Sequence, residues 1–147
     1  MLSATFYNDM IKGLKKDKKD LEYYSKACEL NYGDGCAILG DIYHNGEGVT
    51  QNFKKAFKYY SKACKLNNGE GCSKLGGDYF LGESVTQDLK KAFGYSAKAC
   101  ELNDAKGCYA LAALYNEGVA KDEKQMTESL KKACELGLKE ACGILKE

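Results

Sequence analysis

Eight cysteines stand at positions 28, 36, 64, 72, 100, 108, 134 and 142 of a 147-residue chain. Within each pair the spacing is eight, and successive pairs are stepped by 36, 36 and then 34 residues. A fixed period of this length belongs to stacked supersecondary units, each burying its apolar face only against its neighbours. The flanking residues keep the frame. Tyr23-Tyr24-Ser25-Lys26-Ala27-Cys28 returns as Tyr59-Tyr60-Ser61-Lys62-Ala63-Cys64, with Tyr95 to Leu102 and Ser129 to Leu136 in register. Gly35-Cys36, Gly71-Cys72 and Gly107-Cys108 are each followed by a leucine three residues on, at 39, 75 and 111.

The periodicity says what each unit is. Cys36, Leu39, Gly40 and Tyr43 lie at i, i+3, i+4 and i+7, which is one face of a helix, here called A. Gly46, Gly82 and Gly118 follow the A helices, where a left-handed C-terminal residue is wanted. A second helix, B, starts at an N-capping Asn52, Asp88 or Asp122. It ends before Asn31, Asn67, Asn103 and Gly137, residues that tolerate the left-handed conformation. The small residue at 40, 76 and 112 implies close helix contact, because glycine inside a helix otherwise costs about 1 kcal/mol. No segment alternates as a strand does. The expected fold is an all-α solenoid in one domain, residues 1–147. Its units run at about 1–36, 37–72, 73–108 and 109–142, with a capping helix at 139–147. Leu2, Phe6, Met10 and Leu14 suggest a degenerate first A helix.

In each pair the first cysteine falls in the last turn of a B helix and the second in the first turn of the next A helix. A tight hairpin brings those turns within disulfide reach. The expected bonds are Cys28–Cys36, Cys64–Cys72, Cys100–Cys108 and Cys134–Cys142. Zinc would need ligands converging on one point, whereas these pairs recur along a rod that has a single histidine. Buried free thiols suit core positions but do not explain why both members return together. Disulfides imply an oxidising compartment, secreted or periplasmic. Met1 to Gly13 lacks a basic start followed by an apolar run, so the sequence reads as a mature chain without its targeting segment. Lys plus Arg is 22 and Asp plus Glu is 21; this balance gives no basic excess for nucleic acid. No apolar run is long enough to span a bilayer.

The run Leu39-Gly40-Asp41-Ile42-Tyr43-His44-Asn45-Gly46-Glu47-Gly48-Val49, continued by Lys55-Ala56-Phe57-Lys58-Tyr59-Tyr60-Ser61-Lys62-Ala63, resembles the Sel1-like repeat, a relative of the tetratricopeptide repeat. The cysteine eight residues after Lys-Ala-Cys is similar to the Helicobacter cysteine-rich proteins, a secreted branch. The resemblance implies a right-handed superhelix of disulfide-closed helix pairs. It also implies one of two roles, an adaptor for protein or peptide partners or a penicillin-binding protein with weak β-lactamase activity.

Serine β-lactamases carry S-x-x-K with companion motifs elsewhere. Ser129-Leu130-Lys131-Lys132 is the one match, it lacks the companions, and it reads as a solvated face of helix B. His44 and Ser129 are the weak catalytic candidates; no catalytic residue, metal or cofactor is assigned. In tetratricopeptide-like solenoids the A helices line the concave groove, and departures from the repeat consensus there are candidates for specificity. The first row is Asp34, Ala37, Asp41, His44 and Asn45. The second is Glu70, Ser73, Gly77, Phe80 and Leu81, and the third is Lys106, Tyr109, Ala113, Asn116 and Glu117. Phe80 and Tyr109 stand out as rigid aromatic contacts. The tyrosine pairs at 23–24 and 59–60 are expected to pack between repeats with their hydroxyls at the surface. The expected function is peptide or protein binding by a monomer, with a cell-wall or β-lactam-like ligand as the alternative.

Overall fold

A computed structural model describes residues 18–116 and 121–146. These form eight helices and no strand: α1 Lys18–Glu29, α2 Gly33–Asn45, α3 Phe53–Lys65, α4 Gly69–Leu81, α5 Leu89–Glu101, α6 Ala105–Asn116, α7 Glu123–Glu135 and α8 Lys139–Leu145. The A helices are α2, α4, α6 and α8; the B helices are α1, α3, α5 and α7. The N-terminal helix expected through Leu14, together with Glu117 and Gly118, lies outside the described residues.

The punctuation residues act as their chemistry requires. Asn52, Asp88 and Asp122 cap the B helices by accepting from the backbone N–H of Lys55, Lys91 and Gln125. Asn31, Asn67 and Asn103 hold φ of 66°, 62° and 64° just past the B helices. Gly46 and Gly82 end the A helices at φ 71°. Asn68 and Asp104 cap α4 and α6 through the N–H of Gly71 and Gly107.

All four disulfides join the expected partners, with Cα separations of 4.6, 4.5, 4.4 and 4.8 Å. The glycine before the second cysteine makes this approach feasible. A Cβ on Gly35, Gly71 or Gly107 would sit 2.7, 2.6 or 2.4 Å from the methyl of Ala27, Ala63 or Ala99. Those alanines precede the first cysteine of each pair, so the Gly-Cys and Lys-Ala-Cys motifs are two halves of one contact. Closing each nine-residue loop contributes about 2.5 kcal/mol in the chain-entropy model.

The core is a row of discs. Cys28, Cys36, Leu39 and Ile42 form one with Ala63; Tyr60, Cys64, Cys72 and Leu75 form the next with Ala99; Cys100, Cys108, Leu111 and Leu130 form the third with Ala133 and Ala141. Each disc borrows an alanine from the following B helix, which is how neighbouring repeats lock together. Lysines of the Lys-Ala-Cys motif bridge repeats as well. Lys98 Nζ donates to the carbonyl of Cys64 at 2.9 Å, and Lys132 Nζ to that of Cys100 at 2.7 Å. In both, a cation meets the negative end of the preceding B helix.

The tyrosines correct the sequence reading in one respect. Tyr59 stacks on Tyr43, and Tyr95 on Tyr79, both at 5.7 Å between centroids, as packing residues should. Tyr60 is only 1% exposed, and its hydroxyl donates to Asp41 at 2.6 Å instead of reaching solvent. A buried hydroxyl needs a partner, and Asp41 provides it.

Candidate binding groove

Neighbouring A helices touch one another along the stack, while the B helices behind them scarcely meet. The described residues of the three rows read from the sequence are carried by α2, α4 and α6.

In the first row Asp34 is exposed and accepts from the amide of Asn68 in the next repeat at 2.7 Å. Asp41 and His44 are half-buried and Asn45 is exposed. The His44 ring lies against Phe53 at 5.1 Å between centroids, with Nδ1 3.3 Å from Asn45 Oδ1. Ala37 is a second correction. It is 2% exposed and belongs to the first core disc, because its methyl faces inward beside the disulfide. In the second row Glu70 is exposed and Ser73 and Gly77 are half-buried. Phe80 and Leu81 leave 40% and 62% of their surface open. In the third, Lys106, Ala113 and Asn116 are exposed and Tyr109 is half-buried.

Carboxylates gather where rows one and two meet. Glu70 reaches Asp41, and its pKa is raised above the usual carboxylate range by desolvation first and by the Asp41 charge second. Tyr60 is likewise raised, by burial and then by its bond to Asp41. Asp78 is pushed up to about 6, mainly by desolvation, with His44 and Lys74 opposing and Glu83 adding to the rise. The sequence reading missed Asp78. One repeat away in either direction its column holds Ile42 and Leu114, both buried, and an acid in an apolar column was the available signal.

A cavity of about 330 Å³ opens at the C-terminal end of this face. Three predicted residues, Tyr109, Ala113 and Asn116, line it together with Ala112, Met126, Leu130 and Ile144. A smaller one, about 260 Å³, lies on the other side of Tyr109 against Lys106, Ala110, Leu138 and Glu140. Phe80 lines neither.

The catalytic candidates are placed apart. Ser129 is 7% exposed, which corrects the expectation of a solvated face: it stands in the column of Tyr59 and Tyr95, which pack on the A helices. Lys132 of the same motif holds the Cys100 carbonyl. Every cysteine is in a disulfide, and no group of metal-ligating side chains occurs among the described residues.

The Sel1 repeat family model matches residues 21–32, 33–68, 69–104 and 105–138. Among solved structures, Helicobacter pylori cysteine-rich protein B is 47% identical, covering 86% of this chain and 92% of its own, with a TM-score of 0.70. A Sel1 repeat protein from Oxalobacter formigenes is 26% identical at a TM-score of 0.79, over 92% of this chain and 57% of its own. A protective antigen of uropathogenic Escherichia coli with the same repeat fold is 27% identical at 0.79, over 86% of this chain and 27% of its own. No curated protein sequence matches the chain.

Proposed function

The chain belongs to the Sel1 repeat family, and from that membership we propose that it binds a peptide or protein segment along its concave A-helix face, outside the cytoplasm. Sel1 repeats are protein-interaction modules, and four disulfides suit an oxidising, extracytoplasmic environment. One observation supports the choice of face. The core columns of Cys36, Leu39 and Ala63 keep their residue type from repeat to repeat, whereas the groove columns change character from row to row: His44, Phe80 and Asn116 share one column, and Asp41, Gly77 and Ala113 another. Phe80 and Leu81 leave 40% and 62% of their surface open there, and exposed large apolar side chains mark interaction surfaces.

Selection of a random peptide library on the oxidised full chain tests the reading. Retained peptides should lose binding to a Phe80→Ala, Asp41→Asn, Glu70→Gln variant and keep it with Lys54→Ala, Lys58→Ala on α3. The reverse pattern, or a library that yields no binder, contradicts it.

A further inference from the structure

The first repeat shows what the C-terminal cavity lacks. There Tyr60 lays its ring over Gly40, so closely that a Cβ on that glycine would meet ring carbons at 2.4 and 2.5 Å. Its hydroxyl donates to Asp41. In the third repeat the same columns carry Leu130, Ala112 and Ala113. Ring, hydroxyl and acceptor are all gone. The cavity of about 330 Å³ opens among these three residues, with Met126, Tyr109 and Ile144 completing it. Ala112 and Leu130 belong to the third core disc and Tyr109 and Met126 pack against it, so the cavity borders an apolar core.

Charge defines the rest of the ligand. The balanced net charge conceals two unlike faces. The A helices α2, α4, α6 and α8 together carry Asp34, Asp41, Glu70, Asp78 and Glu140 against Lys74, Lys106 and Lys139, with the acids concentrated on α2 and α4. Of the B helices, α3 and α5 carry eight lysines against Glu101, and α1 and α7 are each balanced. A cationic segment is attracted to the A face and repelled from the back.

We propose that the cavity beside Leu130 takes an aromatic side chain from a cationic peptide, whose basic residues lie toward Asp41, Glu70 and Asp78. The proposal rests on the groove reading above and adds the ligand's chemistry. An aromatic ring fits for a physical reason: it supplies large apolar area with few rotors, and a tyrosine ring occupies the corresponding space in repeat one.

Titration of the oxidised full chain with the acetylated, amidated peptides GKFKG, GKAKG and GEFEG, followed by methyl NMR, tests this. GKFKG should bind about ten-fold tighter than GKAKG, the scale of one aromatic anchor, and should shift the methyls of Met126, Leu130 and Ile144. GEFEG should bind more weakly than GKFKG. Leu130→Tyr with Ala113→Asp rebuilds the first repeat's pair inside the cavity and should abolish the phenylalanine preference. If that variant does not fold, Ala113→Leu at an exposed helical position should have the same effect. Equal binding of GKFKG and GKAKG, unmoved cavity methyls, or tightest binding of GEFEG overturns the proposal. So does a concentration-dependent shift of those methyls without peptide, which would put a second copy in the cavity. Library-selected groove binders that lack aromatic residues would sink this inference and leave the groove reading standing.

Discussion

Gly40→Ala should destabilise the protein, although alanine is the better helix former. Propensity alone favours the substitution by about 1 kcal/mol. The added Cβ, however, would lie 2.4 and 2.5 Å from carbons of the Tyr60 ring, a ring that is 1% exposed and has nowhere to retreat. Overpacking of this kind costs about 1–3 kcal/mol. Any shift of the ring also stretches its 2.6 Å bond to Asp41, and a buried hydrogen bond to a charged group is worth about 1.5–3 kcal/mol. The expected net loss is about 2–3 kcal/mol. Gly77→Ala is the matched control on the next A helix. Nothing lies within 4 Å of its would-be Cβ, so it should gain up to about 1 kcal/mol. Urea titrations of the oxidised variants at unchanged m-value measure both. In a Tyr60→Ser background, which copies the Gly76–Ser96 pairing of repeat two, Gly40→Ala should lose most of its effect. If Gly40→Ala behaves like Gly77→Ala, the close contact invoked for the glycine column is refuted.

Other expectations concern single elements. Alkylation of the native, unreduced protein followed by mass spectrometry should label no cysteine; labelling of all eight would contradict the stapled hairpins. Replacing Cys64 and Cys72 together by serine should lower stability by about 2.5 kcal/mol, read as a fall in urea midpoint. Asp88→Ala removes the α5 cap seen at Lys91 N–H and should cost about 1 kcal/mol, whereas an unchanged midpoint would show the cap to be idle. Asp78 has its pKa raised in the folded state from 3.8 to about 6, so the fold favours its protonated form. Its contribution is full below about pH 4 and is lost as pH rises through about 6. Stability relative to Asp78→Asn should decline across that window, and a flat difference would mean the carboxyl is well solvated.

Spacing made the scaffold legible. The cysteine period determined repeat length, hairpin topology and disulfide partners, because a covalent bond between two fixed turns leaves one local solution. Caps were legible for the same reason: Asn52, Asp88 and Asp122 stand where a B helix needs an acceptor. What the sequence concealed were relations between columns. Tyr60 and Asp41 are nineteen residues apart, and their bond follows only once α2 and α3 are packed. Ala37 and Ser129 are buried by packing between helices, which the periodicity of one helix does not reveal. The C-terminal cavity arises from Leu130 and Ala113 standing opposite each other, something neither residue signals alone. Lys98 and Lys132 look like surface charge until the preceding helix end is placed beside them.

Bound peptide should lie on the A face and not on the lysine-rich back. Backbone amide shift mapping of the oxidised chain with a library-selected peptide tests this most directly. The perturbed amides should lie on α2, α4 and α6, centred between Asp41 and Asn116. Perturbations concentrated on the lysine-rich α3 and α5 would contradict it.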